Sequence, residues 1–77
     1  MSLEKAFGAA LRAHRTKCNL TQLSLAQSSG LHITYISMLE RGLKQPSLKA
    51  FLKISVALKV PPADLLKSTL KGLTSRK

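Results

Sequence analysis

Acids are scarce in this sequence. Its 77 residues carry thirteen Lys and Arg against three acids, Glu4, Glu40 and Asp64, for a formal charge of +10. A surplus of that size favours association with a polyanion and is silent about fold. Nucleic acid is the first candidate partner and an anionic membrane surface the second. With so few carboxylates, no pair is set up for general acid–base chemistry, His14 and His32 have no neighbouring nucleophile, and no Gly-rich phosphate loop is present, so an enzyme is not expected. Cysteine is nearly absent as well. Cys18 stands alone, which excludes an internal disulfide, and no Cys/His cluster has zinc-ligand spacing. Burial as a small hydrophobe is the expected fate of Cys18. No metal, cofactor or small-molecule ligand is implied. Long apolar runs are missing too: nothing approaches the ~18 residues of a membrane span, and the N-terminal segment has no secretory h-region, so a cytoplasmic location is expected.

The hydrophobic residues that are present recur at helical spacing, and strand signal is almost nil. Length allows one small domain with one marginal core, which makes a dimer attractive. Leu3, Phe7, Leu11 and Arg15 step by four, with Ala10 beside them, and predict a first helix over about 2–17. Thr21 is placed to cap a second helix that turns inward at Leu25 and Ala26 and ends before Ser29-Gly30. A third helix occupies "GLHITYISMLERG", residues 30–42. After a loop from Gly42 to Pro46, Ser47 caps a fourth helix with Leu48, Phe51, Ile54, Ser55 and Leu58 on one face. Pro61-Pro62 opens a fifth, with Asp64 complementing its dipole. The fold class is therefore all-α, a compact five-helix bundle. The domain is expected to span 1–71, with 72–77, "GLTSRK", as a frayed basic tail.

The gap between helices two and three is a tight turn in which Gly30 is free to take positive φ, and Ala26 sits where helices crossing over it must approach closely. Two short helices joined this way form a helix-turn-helix, whose second helix can enter the major groove. Advancing about 100° per residue puts Ile33, Thr34, Ser37, Met38 and Arg41 on one arc of roughly 140°. Tyr35, Leu39, His32 and Ile36 occupy the opposite side, which is expected to face the core, with Tyr35 at its edge. The outer arc offers two apolar side chains and two hydroxyls around one arginine, a surface suited to thymine methyls and hydroxyl contacts rather than bidentate purine recognition.

Arg15 continues an apolar stripe and so needs a partner inside the protein. Glu4 lies far back on the same helix and Asp64 serves the fifth, leaving Glu40 as the mate in an ion pair between helices one and three. Gln22, at the start of helix two, can hold a phosphate together with free backbone N–H groups. Arg41, Lys44 and Gln45 lie at and beyond the end of helix three, in the loop that would face a nucleic-acid backbone. Val60, Leu65, Leu66 and Leu70 carry more apolar surface than the end of so small a bundle can cover, and are the expected dimer surface.

The stretch "LTQLSLAQSSGLHITYISMLERGLKQPSLKAFLKISVALKV" resembles the phage-repressor and Cro-like helix-turn-helix family, through Thr-Gln, Leu-Ala, Gly, Ile-Ser, Glu-x-Gly, Pro-Ser and Leu-x-Val in that order. The resemblance covers about Leu11 to Leu66. It implies a bundle of about five helices that binds double-stranded DNA at a palindromic operator as a homodimer, in a bacterial or phage setting, as a Cro-like repressor or a small controller of neighbouring genes. It also implies base reading by Ile33, Thr34, Ser37 and Met38, a phosphate contact at Gln22, and the Arg15–Glu40 pair. Two positions depart from the pattern. His32 replaces the usual Ser or Thr cap, and either caps at a cost of about 1 kcal/mol or contacts a phosphate; Lys59 replaces a common Gly and needs a left-handed backbone. Two other readings stand beside this one. An antitoxin or coactivator would turn the same apolar face, with Leu23 and Leu43, onto a protein. A membrane-surface polycation would need one long basic helix, which Pro46, Pro61, Pro62 and the glycines interrupt.

Overall fold

The computed structural model describes residues 1–74 and contains five helices among them: α1 (Leu3–Lys17), α2 (Gln22–Ser29), α3 (Ile33–Glu40), α4 (Leu48–Leu58) and α5 (Pro62–Thr74). Three starts are capped by the residues their chemistry suggests. Ser2 Oγ accepts from Lys5 N at 3.1 Å, Thr21 Oγ1 from Ser24 N at 3.0 Å and Ser47 Oγ from Ala50 N at 3.0 Å. Each bond satisfies a backbone donor that the helix itself cannot. At the start of α3, His32 has the extended backbone of a cap but makes no side-chain cap bond.

Left-handed residues follow each of the first four helices, Gly42 at φ 74° doing so after α3. Gly30, at φ 72°, closes α2, and Leu31 N donates to Ala26 O at 3.1 Å across the turn. Lys59 takes φ 58° after α4 as its position demands, and Asn19 takes φ 59° after α1, a conformation its short polar side chain tolerates. The core is a single cluster of Phe7, Leu11, Leu25, Ala26, Ile36, Leu39, Ile54, Leu58 and Leu65. The Phe7 and Phe51 rings meet with centroids 5.9 Å apart, tying α1 to α4. Gly8 lets α1 cross close over α3, since a Cβ there would lie 2.5 Å from Leu39 O and 2.7 Å from Glu40 O.

Four expectations change. Leu65 is completely buried in the core, because the turn of α5 that follows Asp64 rolls it under α1 and α4; it is no part of an outer surface. Val60 is half-buried against the same cluster. Leu48, assigned to the inner face of α4, points outward at 75% exposure. Cys18 is exposed in the turn after α1, with its thiol 3.6 Å from Leu58 O. In addition, α5 continues through Gly72 to Thr74, so 72–74 of the expected tail are helical and its last part, 75–77, lies outside the described residues.

Candidate nucleic-acid interface

The outer arc of α3 is built by what its other side buries. Ile36 and Leu39 are fully enclosed, which turns Ile33 and Thr34 outward and leaves Ser37 and Met38 half-buried on the same side. Arg41, the residue that closes the helix, is exposed. Tyr35 is half-buried at the margin, where its hydroxyl accepts from Ser47 N at 3.3 Å and links α3 to the start of α4. The Lys44 ammonium sits 6.0 Å from the Tyr35 ring centroid, at the outer limit of a cation–π contact.

Behind this arc lies a polar network. Arg15 Nε donates to Glu40 Oε2 at 2.5 Å and Nη2 to Oε1 at 3.1 Å, a bidentate pair, while Nη1 donates to Leu20 O at 2.8 Å. Both side chains are almost wholly buried, at 12% and 4% exposure. The hydrogen bond that Arg15 donates to Glu40 raises the guanidinium above its ordinary pKa against the opposing effect of burial. Gln22 joins the network, its Nε2 donating to Glu40 Oε1 at 3.1 Å. The amide at the start of α2 is thus already oriented, with its second N–H left over. Gln45 is similarly engaged: its Nε2 donates to Glu4 Oε2 at 2.9 Å, which holds the Glu4 carboxyl below the usual range. Lys44 and Arg41 extend from the surface around the arc, and so does His32, which the helical angle puts on the core side: as the extended cap residue it precedes the first turn of α3 and does not follow the helical rotation. Neither α2 nor α3 has an acid in its first turn, whereas α1 has Glu4 and α5 has Asp64. The positive ends of the two turn helices are therefore uncompensated, a condition that suits phosphate.

On the other side of the molecule α4 carries a second apolar stripe that sequence reasoning missed. Leu48, Leu52 and Val56 step by four along its outward face, with Leu48 and Val56 each 75% exposed; Leu66 of α5 lines a groove together with Leu48, and Leu70 is exposed one turn further along α5. The signal was present in the sequence as an i, i+4, i+8 series, but it overlaps the core series Phe51, Ile54, Ser55 and Leu58 on the same helix. Among the described residues no group of His, Cys, Asp and Glu could hold a metal ion, and no helix is long and apolar enough to cross a membrane.

The two short helices, the left-handed turn between them and the outward arc of the second define a helix-turn-helix domain. The chain belongs to the helix-turn-helix family, whose sequence profile matches residues 11–65. That family is one of DNA-binding regulators and not of enzymes. Within it the similar proteins include several control proteins. The chain is 46% identical over 72 residues to control protein C.BamHI of Bacillus amyloliquefaciens, a match covering 92% of this chain and 89% of the relative. The restriction-modification controller protein C.AhdI from Aeromonas hydrophila shares 40% identity and superposes with a TM-score of 0.78, over 80% of this chain and 94% of that one. A third controller, C.Esp1396I, solved as a tetramer in complex with its natural 35 base-pair operator, is 25% identical and superposes with a TM-score of 0.87, covering 97% of this chain and 99% of that one.

Proposed function

We propose that this protein is a sequence-specific regulator of transcription of the restriction-modification controller type, binding a palindromic operator in the cytoplasm as a homodimer. The observation that carries the reading is the outer arc of α3, where Ile33, Thr34, Ser37 and Met38 are presented together by a rigid backing and ringed by cations. Apolar and hydroxyl groups of this kind read thymine methyls and base edges in a major groove. Phosphate is held around them by Arg41, Lys44 and His32, by the free N–H of the Gln22 amide, and by the backbone N–H groups at the start of α2. Gln45 is the weakest of the candidate phosphate ligands, since its amide is committed to Glu4. The second copy seats on Leu48, Leu52, Val56, Leu66 and Leu70, an aliphatic face of the sort that a lone domain rarely leaves open. Two copies of α3 then meet half-sites about 34 Å apart, one turn of DNA.

The test is selection of bound duplexes from a random pool, followed by isotherms at several salt concentrations. Thr34→Ala and Met38→Ala are expected to cost about 1 to 3 kcal/mol on the selected operator, change the preferred base at one or two positions per half-site, and leave the salt slope nearly fixed. Arg41→Ala and Lys44→Ala are expected to weaken all sequences alike and lower the slope by about one each. If Thr34→Ala and Met38→Ala leave the ratio of operator to scrambled affinity intact, α3 does not read bases, and the face serves a protein partner instead.

A further inference from the structure

One strongly charged surface has no role in the reading above. The outward side of α1 carries Lys5, Ala9, Arg12, Ala13 and Thr16, and with Arg41 it lines an open groove of about 540 Å³ that runs from the end of α3 along α1. Lys5, Arg12 and Arg41 are exposed, and among the described residues none of them is in an ion pair. The groove's one carboxylate, Glu40, is 4% exposed and is already neutralised by Arg15. Ala9 and Ala13 keep the floor low between the cations. Lys5 and Arg12 are seven residues apart, about 10 Å along the helix and on nearly the same side of it at 1.5 Å and 100° per residue. The close crossing at Gly8 fixes this row against the last turn of α3. Like charges lined up on a rigid support repel one another, and the arrangement is relieved when an anion of matching shape lies along it.

We infer that this groove is a track for the phosphodiester backbone of duplex DNA outside the bases that α3 reads, with Lys5 and Arg12 as its phosphate ligands. The inference rests on the DNA-binding reading, and the occupant follows from continuity. Arg41 belongs both to the outer arc of α3 and to the wall of the groove, so a strand that passes Arg41 while its bases face α3 continues onto α1. An acidic protein surface would match the charge but has no reason to begin at the edge of the base-reading arc. The track lengthens the footprint of each subunit and adds affinity without adding sequence preference.

The experiment compares the wild type, K5A/R12A and the control pair K53A/K67A on a duplex chosen by wild-type selection, in a long form with flanking DNA and a form trimmed at the outer edges of the site. On the long duplex the wild type is expected to lose about tenfold more affinity between 50 and 200 mM salt than K5A/R12A does, two phosphate contacts' worth, with the same preferred sequence. The control pair, which removes equal charge from α4 and α5, is expected to keep the wild-type dependence. On the trimmed duplex K5A/R12A and the wild type are expected to coincide. A wild-type salt slope in K5A/R12A on the long duplex, an equal loss in the control pair, or a difference that persists on the trimmed duplex would each overturn the track. Failure of the wild type to select any duplex would instead remove the DNA-binding reading beneath it. Should the alanines lower the melting temperature, K5M/R12M keeps the aliphatic stems while removing the charges, and the same outcomes apply.

Discussion

Two faces of this molecule expose large apolar side chains, and they differ in what surrounds them. On α3, Ile33 and Met38 are interleaved with the hydroxyls of Thr34 and Ser37 and bordered by Arg41 and Lys44. On α4 and α5, Leu48, Leu52, Val56, Leu66 and Leu70 are exposed and aliphatic throughout. Apolar area alone would rank the second face as the sticky one and pass over the first. Chemistry separates them: isolated methyls among hydrogen-bonding groups match the edge of a base pair, while contiguous methyls match a copy of themselves. The backing differs too. A buried ion pair stands behind α3, whereas α4 and α5 rest mainly on hydrocarbon, where the polar contacts include Ser55 and Thr69 donating back to Leu52 O and Leu65 O, Cys18 Sγ on Leu58 O, and His14 Nε2 at 3.0 Å from Ser68 Oγ.

The largest expected effect comes from spoiling the aliphatic face. Leu52→Glu and Val56→Glu each place a charge on a side chain that is already exposed, so the monomer is expected to melt as the wild type does. Operator binding gains about 4 to 10 kcal/mol over non-specific binding in such regulators, and a chain confined to one half-site is expected to lose at least about 4 of it. Sedimentation should show monomer where the wild type is dimeric. Dimeric Leu52→Glu and Val56→Glu variants with intact operator affinity would move the interface elsewhere.

Next in size is the network behind α3. Arg15→Ala or Glu40→Ala leaves one buried charge unpaired, and a loss of about 3 to 5 kcal/mol is expected in urea unfolding. The double replacement R15M/E40L sharpens the point. It removes both charges and is expected to recover most of the stability, yet it leaves the Gln22 amide without its acceptor, so phosphate binding at the start of α2 is expected to stay weaker than in the wild type. Full recovery of both stability and operator affinity would show that Glu40 does no more than hold α1 to α3.

Much of this was legible along the chain because the information is local. Ser2, Thr21 and Ser47 are capping residues immediately before helical spacing, and Gly30 and the Pro61-Pro62 step mark breaks that no neighbouring signal contradicts. The outer arc of α3 followed from angle alone. What escaped is non-local or doubly encoded. The Gln22 and Gln45 amides find carboxylates 18 and 41 residues away, so residues that look free in the sequence are committed in the fold. Helix α4 carries two apolar stripes at the same period, and Leu48 was read into the wrong one. Leu65 and Leu66 are adjacent leucines about 100° apart around α5, one buried and the other exposed, and the packing of the other helices decides which is core. Arg15 was the instructive success: a charge at a core position demands a partner, and with three acids in the chain the choice was short.

The smallest expected effect is at His32, and it probes how the reading face is mounted. This residue holds the cap backbone of α3 without supplying the cap bond, in contrast to Thr21 and Ser47 at the helices on either side. Replacing it with Ser restores a short oxygen acceptor for the free N–H groups of the first turn and is expected to stabilise the fold by about 1 kcal/mol. The effect on DNA then distinguishes the two roles open to the imidazole. If His32 touches phosphate, H32S is expected to bind all sequences more weakly by one contact and to show a shallower salt slope, despite its higher melting temperature. An unchanged salt slope in a stabilised variant would make His32 a plain, suboptimal cap. A drop in stability would mean that the start of α3 is held by something other than the residue at its cap, and the rigidity ascribed to the outer arc would then rest on the Arg15–Glu40–Gln22 network and the core side chains alone.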